Sequence, residues 1–427
     1  MNILLCGSNG FIGKNLYQYL TANGHHVRAA VRNAENFQRY YPEADTVQVD
    51  FRRDHDIGSW LPRLEDIDLV INAVGIIRET GTQRFEDIHQ NAPCSLFDAC
   101  VEARVRRVIQ ISALGADRHA ESNYHLSKRA ADRHLSKCDL DWTILRPSIV
   151  YGPGAKSTEL FKALAALPLT PLVGHGEQLI QPIYIKDVAK AISLCLEADT
   201  TVHKHIDLVG PQSISFAALL SLHRNWLGLG ALRPLPIKYP VALKLGKLAG
   251  KLGNAPVTEE TVAMLARGNT SDVSAFVQAF KFTPRSPSDE LGQHPAQTAD
   301  RWYSSLFFMP WLLRWCIALV WVVTGVCSLG IYPESESLKI LEQAGITGAL
   351  ATLLLYGGGL VDLAIGLMML FDRWIKSVLV IQLSIMMIYT LIITGLLPEL
   401  WLHPFGPVTK NLPMAAATLC LLAMTRK

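Results

Sequence analysis

The 427-residue chain is too long for one ordinary domain and accommodates two or three. Half of its residues are hydrophobic, its net charge is only +3, and no dense Lys/Arg block occurs, which argues against nucleic acid as a partner. Charged residues recur steadily up to about Arg301 and then become sparse, so a polar part is joined to an apolar one.

Residues 3–6 form a short apolar run that predicts a buried parallel strand. The opening Met1–Gly7 segment has neither the basic region nor the longer apolar stretch of a signal peptide, so none is expected. Gly7-Ser8-Asn9-Gly10-Phe11-Ile12-Gly13 follows, then Leu16, Tyr17 and Leu20 at helical spacing up to a stop at Asn23-Gly24. A strand-to-helix turn of this kind needs one glycine for the turn, one for close approach of a pyrophosphate, and one for helix–sheet packing. An ordinary glycine-rich turn is the alternative. Its place after a strand and before a helix favours nucleotide binding.

Further strands are predicted at 27–31, 46–49, 69–71, 108–111 and 142–145, with helices near 57–64, 86–104 and 124–137 between them. This alternation predicts an α/β fold with a doubly wound parallel sheet. Val31-Arg32-Asn33 ends the second strand with no acid before Glu35. An arginine there can hold a 2′-phosphate, or stand as a solvated surface group; the pattern favours NADP(H) over NAD(H). Asp50, ending the third strand, either accepts from an adenine amino group or is an exposed loop acid.

Ser112 lies just past the fifth strand, at the carboxyl edge where ligands of such sheets bind. Tyr124 and Lys128 are four apart on a predicted helix and so share a face. An ammonium beside a phenol, with a positive nicotinamide, stabilises the phenolate and makes it a general acid/base. Lys128 can also hold the nicotinamide ribose, and the Ser112 hydroxyl can bond a substrate carbonyl.

From 153 to 297 the reading thins to a substrate-side lobe. Residues 239–252 place Lys244, Lys247 and Lys251 on one helical stripe amid Val241, Leu243, Leu245 and Leu248. That stripe reads either as a basic face for anionic headgroups or as a solvated face. Thr283-Pro284-Arg285-Ser286-Pro287-Ser288 reads as a linker.

Apolar stretches at 311–332, 346–371, 375–397 and 408–424 predict four membrane helices, the last marginal in length. Arg373 and Lys376 flank the second loop and Arg426-Lys427 close the chain. The first loop has Glu334, Glu336 and Glu342 against only Lys339, and the third has Glu399 with no Lys or Arg before Lys410. This distribution predicts a second loop and C-terminus in the cytoplasm. Four crossings then put the nucleotide part there too. Asp362 falls about 15 Å deep, near the midplane, where an ionisable group is a functional candidate. Arg314 reaches toward it or snorkels to the nearer surface. The eight cysteines (Cys6, Cys94, Cys100, Cys138, Cys195, Cys316, Cys327 and Cys420) have no CxxC or Cys/His spacing, so no metal is expected and a reducing compartment is.

With these motifs in hand, residues 1 to about 290 resemble an atypical or extended short-chain dehydrogenase/reductase. The pieces that match are the glycine turn, Asn72-Ala73-Val74-Gly75, Ser112-Ala113-Leu114-Gly115-Ala116, Tyr124-His125-Leu126-Ser127-Lys128, Leu145-Arg146-Pro147-Ser148-Ile149-Val150-Tyr151-Gly152 and Gln181-Pro182-Ile183-Tyr184-Ile185-Lys186-Asp187-Val188-Ala189. Within that superfamily, the phrases after the fifth and sixth strands are most similar to relatives of the NAD(P)-binding accessory subunit of respiratory complex I. The resemblance implies a cofactor site of Gly7, Asn9, Gly10, Phe11, Ile12, Gly13, Asn72, Ala73, Gly75, Lys128 and Pro147, joined by Arg32 and Asp50. It implies catalysis by Ser112, Tyr124 and Lys128, with Asn91 either positioning Lys128 through water or lying at the surface. Arg314, Trp321, Gly325, Asp362, Gly366 and Lys410-Asn411-Leu412-Pro413 resemble a DoxX-like membrane domain.

The expected organisation is a Rossmann-type NAD(P)-binding domain at 1–210, a small substrate lobe and linker at 211–297, and a four-helix transmembrane domain at 298–427. The expected activity is that of an NAD(P)-dependent oxidoreductase, or of an epimerase/dehydratase of the same superfamily, with hydride transfer between NAD(P)(H) and a carbonyl or hydroxyl group of a small, lipid-soluble or sugar-like substrate. A non-catalytic nucleotide-binding scaffold or redox sensor docking a membrane protein complex is the alternative, and quinone or proton chemistry at Asp362 a third. The expected location is the cytoplasmic (inner) membrane, with the lipid bilayer as partner.

Overall fold

The computed structural model describes residues 1–251, 257–371 and 374–425; Arg373, Arg426 and Lys427, on which the expected orientation rests, lie outside them. The chain forms two compact units, Met1–Ser304 and Ser305–Lys427.

In the first unit, β1 (Asn2–Cys6), α1 (Phe11–Ala22), β2 (His26–Val31), α2 (Ala34–Gln38), β3 (Thr46–Gln48), α3 (Ile57–Trp60), β4 (Leu69–Asn72), α4 (Ala92–Glu102), β5 (Arg107–Ile111), α5 (Asn123–Leu135) and β6 (Asp141–Pro147) alternate as expected. One departure is local: the helix expected over 86–104 begins as a π-helical stretch, Glu86–Asn91, before α4. Next come β7 (Val150–Tyr151), α6 (Lys156–Ala166), β8 (Thr170–Val173), β9 (Leu179–Ile180), β10 (Ile183–Tyr184), α7 (Ile185–Leu194) and β11 (Lys204–Leu208). The seven-stranded sheet has the order β11-β6-β5-β4-β1-β2-β3, and every pairing in it is parallel.

Alternation along each strand feeds two cores. Ile3, Leu5, Leu69, Ile71, Ile109 and Leu145 pack on one face with α1 and α7. Leu4, Cys6, Val70, Val108 and Ile144 pack on the other with α4 and α5. Because both faces are covered, the strands read as continuous apolar runs. The chain returns from β3 to β4 beside β1, which opens a crevice at the carboxyl ends of β1 and β4.

The remaining elements of the unit are β12 (Ile214–Ser215), α8 (Phe216–Trp226), β13 (Pro234–Ile237), α9 (Tyr239–Lys251), α10 (Glu259–Arg267), α11 (Val273–Phe280), α12 (Pro287–Gln293) and α13 (Thr298–Leu306). Pairing of β12 with β9 and of β13 with β8 knits residues beyond 210 into the same body. Phe276 and Phe280 of α11 complete the first core. What reads in sequence as a linker is tied down: Arg285 of the 283–288 segment binds Asp187 of α7 through its guanidinium at 2.8 Å and its backbone N–H.

The second unit contains α14 (Met309–Val326), α15 (Glu334–Gln343), α16 (Gly348–Met368), α17 (Ile375–Leu396) and α18 (Asn411–Met424). Among the described residues three helical stretches, Thr298–Ile331, Gly348–Met368 and Ile375–Leu396, are long and apolar enough to cross a membrane. The fourth expected span is α18, whose 14 residues reach about 21 Å, short of a hydrocarbon core of about 30 Å. Glycines bring α14 and α16 together: a Cβ on Gly325 would lie 2.6 Å from the Leu363 nitrogen, and one on Gly366 2.8 Å from that of Val322.

Arg107 shows how the sheet is locked to its helices. It is 1% exposed and donates to the carbonyls of Cys195 (2.8 Å) and Leu196 (3.3 Å) at the end of α7, and to Asp199 (3.0 Å). Arg107→Leu strands the buried Cys195 and Leu196 carbonyls and should cost about 3 kcal/mol. Thermal unfolding of the detergent-solubilised chain checks this, and an unchanged midpoint would contradict it.

Candidate active site

The glycine turn is built by exclusion of side chains. Gly7 has φ +86°, and a Cβ there would sit 2.9 Å from the Ala73 carbonyl at the end of β4. A Cβ on Gly13 would sit 2.0 Å from the Gly7 oxygen, so α1 can start against the turn only with glycine there. The Gly10 N–H donates to the Gly7 carbonyl at 2.8 Å. Helix α1 opens with no side-chain cap and no acid in its first turn. Its first N–H groups and the positive end of its dipole are thus directed at the turn, where Asn9 and Gly10 are exposed. This is the surface a pyrophosphate fits. Phe11 and Ile12 pack against Tyr151, Tyr184 and Ile185, which joins the turn to the Gln181–Ala189 segment.

Around the ends of β2 and β3, Arg28 is engaged with Asp45 (3.0 Å) and the Glu65 carbonyl, whereas Arg32 stands exposed past the end of β2. Asp50 binds Arg52 in a tight pair with contacts of 2.5 to 3.0 Å. That hydrogen bond holds its carboxyl below the usual range although burial opposes it. Asn72 is wholly buried, donating to Gln110 at 2.8 Å and accepting from the Val74 N–H. It therefore shapes the β4 turn from beneath. Ala73 abuts Gly7, and the Pro147 carbonyl accepts from the Leu114 N–H, bringing the β5 and β6 ends together.

Two of the catalytic candidates, Tyr124 and Lys128, sit on α5, whose N-terminus is capped by Ser122 through the His125 N–H. Lys128 is 3% exposed, and its Nζ donates to the carbonyls of Val74 (2.9 Å) and Ile111 (3.1 Å). Those carbonyls belong to the ends of β4 and β5, so two of the three ammonium donors are fixed at the crevice and one remains for a ligand. Gly75 leaves room for it: a Cβ there would lie 3.1 Å from Nζ. Burial pushes the Lys128 pKa down, with Asp132 opposing. Tyr124 is half-buried, its ring edge-on to Phe85 and His89. Burial first, then the Glu260 and Asp132 carboxylates, pushes its phenol up to about 12.

Ser112 and Asn91 each have a side-chain partner within the protein. The Ser112 hydroxyl, 4% exposed, donates to Asp132 Oδ2 at 2.5 Å. Asn91 donates to Asp87 of its own helix at 3.4 Å. The group that approaches Lys128 from that helix is His89, whose Nε2 would be 3.6 Å from a Gly75 Cβ and accepts from the Ile76 N–H. Its Nδ1 therefore carries the proton, donated to Ser127. Burial and Lys128 push the imidazole down to about 2, so it stays neutral. His89, Asp132 and Glu260, whose carboxylate accepts the Tyr124 backbone N–H at 3.0 Å, are absent from the sequence-based site. Asp132 had a signal: it continues the Tyr124, Lys128 spacing by one more helical turn. Glu260 had none, being 136 residues away.

An open cavity of about 670 Å³ is lined by Arg78, Ser122, Asn123, Lys247 and Glu260, next to Tyr124 on α5. Three ligand-type side chains, Asp98, His134 and Cys138, gather within 4.8 Å of one another between α4 and the end of α5, where Asp98 and His134 pair at 2.6 Å. In the membrane unit Asp362 is buried, and its Oδ1 has no hydrogen-bond partner among the described residues. Arg314 donates to the Met369 carbonyl at the end of α16, about 10 Å along the helix from the level of Asp362.

Comparison with known proteins agrees with this division. Residues 7–197 match the family described as NAD(P)H-binding, and residues 318–419 match the DoxX-like family. The chain is 27% identical over 278 residues to NADH dehydrogenase [ubiquinone] 1 alpha subcomplex subunit 9 of Mus musculus, covering 62% of this chain and 71% of that protein. It is 27% identical over 200 residues to ceramide reductase of Caulobacter vibrioides, covering 45% of this chain and 60% of that protein. A nucleoside-diphosphate-sugar epimerase from Staphylococcus aureus shares its fold at TM-score 0.56 and 19% identity, over 68% of this chain and 99% of that one. UDP-glucuronic acid 4-epimerase from Bacillus cereus, solved with UDP-glucuronic acid and NAD, gives TM-score 0.53 and 20% identity, over 72% and 100%. The first unit is thus a Rossmann-like NAD(P)-binding domain, and the DoxX-like region carries the apolar helices.

The burial of Lys128 gives a signed pH prediction. Its pKa lies below the ordinary value of about 10.5, so the ammonium is lost earlier as pH rises. Affinity for the anionic cofactor should hold at neutral pH and weaken in the alkaline range before an ordinary lysine titrates. Lys128→Met should bind more weakly with little pH dependence. Dissociation constants from NADPH fluorescence between pH 6 and 10 check both, and a flat wild-type profile would count against it.

Proposed function

We propose that this protein is a membrane-anchored NAD(P)-dependent reductase acting on the carbonyl of a lipid-soluble substrate. The observation that carries the reading is Lys128, held by the Val74 and Ile111 carbonyls at the crevice with Tyr124 one helical turn away. A bound reduced nicotinamide would supply the hydride. The chain's own part is proton delivery and positioning. Tyr124, kept protonated by burial, hands its phenolic proton to the substrate oxygen as negative charge develops there, and Lys128 holds the ribose and offsets the phenolate left behind. Neutral His89 braces α5 by its bond to Ser127. Ser112 is proposed as a support for Asp132, because its hydroxyl is already donated there.

The lipid-soluble class draws on the apolar helices joined to this domain and on the similarity to a protein named ceramide reductase. We propose the cytoplasmic membrane as the location, with the nucleotide domain on the cytoplasmic side, from the sequence distribution of Lys and Arg. A second reading, a nucleotide-binding scaffold docking a membrane complex, is favoured by the relatives named as NADH dehydrogenase subunits. The third, proton or quinone chemistry in the membrane unit, draws on buried Asp362 and predicts that Asp362→Asn, not Tyr124→Phe, removes function.

NADPH oxidation by the purified full chain with a membrane lipid extract separates these readings. Tyr124→Phe should lower turnover at least 100-fold and leave the NADPH dissociation constant within twofold. Ser112→Ala should keep turnover within severalfold while lowering thermal stability, since it strips a hydrogen bond from a buried carboxylate. Turnover unaffected by Tyr124→Phe would sink the reductase reading.

We assign the exposed Arg32 to the 2′-phosphate of NADP(H). Arg32→Glu should weaken NADPH binding about 10-fold or more and leave NADH binding nearly unchanged. Equal losses for the two cofactors would refute that assignment.

A further inference from the structure

We propose that helix α9 (Tyr239–Lys251) is an interfacial helix that lies on an anionic lipid surface beside the mouth of the active-site cavity. It has three stripes. Ala242 and Gly246, buried, with half-buried Ala249, sit at i, i+4, i+7 and form the face turned into the protein. A Cβ on Gly246 would lie 2.8 Å from the Glu259 nitrogen, so the helix is pressed onto the start of α10 through its small residues. Val241, Leu245 and Leu248 repeat the same spacing on another face and are 47%, 52% and 56% exposed. Lys244 and Lys247, both exposed, run beside them.

A helix that buries small residues and leaves branched aliphatic ones in water reverses the usual order of burial. The reversal is resolved where apolar side chains enter the acyl boundary and the flanking ammoniums reach phosphate level. Charge complementarity selects an anionic surface. The chain supplies a tether, because its DoxX-like region carries helices long and apolar enough to cross a bilayer.

The position of α9 gives the contact a use. Gly246, Lys247 and Gly250 line the same cavity as Ser122 and Glu260, next to Tyr124. A lipid whose polar end carries the reacting group could pass from the headgroup layer beneath α9 to the α5 N-terminus without its chain crossing water. This use rests on the reductase reading, whereas the lipid contact itself does not.

The test therefore reads lipid contact and not turnover. Full-length protein carrying the fluorescent residue dansylalanine at position 245 is reconstituted in phosphatidylcholine vesicles with or without 30% phosphatidylglycerol, using acyl chains brominated at known depth. The expected result is a blue-shifted emission quenched by shallow bromines in the anionic vesicles, with the bound fraction reduced several-fold without the anionic lipid. Lys244→Glu with Lys247→Glu should abolish that difference, since each lysine near an anionic surface is worth about fivefold in binding. The probe at Tyr40, 76% exposed, should stay water-like throughout. Water-like emission at 245 in both vesicles would overturn the proposal. So would shifted emission that bromines do not quench, which would mean that protein and not lipid covers the face. Failure of the reductase reading alone would leave the quenching intact and remove turnover only.

Discussion

The site depends on one constraint: the Lys128 ammonium must be satisfied away from water. Two main-chain carbonyls, from Val74 after β4 and Ile111 at the end of β5, provide most of that satisfaction. They can do so because β4 and β5 are adjacent and parallel, so their carboxyl ends finish at one edge. The lysine thus reads the register of the sheet. It also fixes the rotation of α5, and with it the place of Tyr124 one turn earlier and of Asp132 one turn later. A slip of one residue in either strand would present an N–H where a carbonyl is needed.

Around that lysine, charge and burial oppose each other. Burial pushes the amine down, to about 8 and so still charged at neutral pH, and the Tyr124 phenol up, so the site at rest holds an ammonium beside a protonated phenol. Expectation from spacing alone stresses the opposite effect, an ammonium lowering the phenol. Low local dielectric and the Glu260 carboxylate win in the structure described here. For a reductase this is a workable resting state, since a protonated acid is what a developing alkoxide needs. A positive charge arriving nearby, as when a nicotinamide is oxidised, would then stabilise the phenolate at the moment it forms.

The parallel sheet, its strand sequence and the glycine turn were legible because they follow from period and local sterics. Apolar runs mark strands buried on both faces, and Gly7 and Gly13 have no tolerated alternative. Details that no pattern resolves have physical reasons too. Ser112 lies at the right edge, but whether its hydroxyl meets substrate or Asp132 depends on rotation about a bond that no pattern records. Asn91 was singled out by family resemblance, and the resemblance does not carry the π-helical turn at Glu86–Asn91, on which His89 also lies. The fourth membrane span reads as apolar from 408, whereas the helix begins at Asn411, leaving α18 too short to cross alone.

Sequence pattern was least informative from 153 to 297, yet that region supplies Glu260, Arg285 and α9. Its elements are short and joined by pairings such as β8 with β13, so their placement is decided by long-range contacts and not by periodicity. The stripe on α9 shows the limit well. Its lysines suggested a basic face, but the sequence could not say which of the remaining stripes the protein would bury. An apolar stripe facing inward would have made α9 an ordinary surface helix with solvated lysines. Burial of Ala242 and Gly246 instead leaves Val241, Leu245 and Leu248 outside, beside the cavity that reaches the α5 N-terminus. The small residues are thus what turn a common amphipathic pattern into one that needs a second apolar phase. The other unit of the same chain carries helices long and apolar enough to enter such a phase.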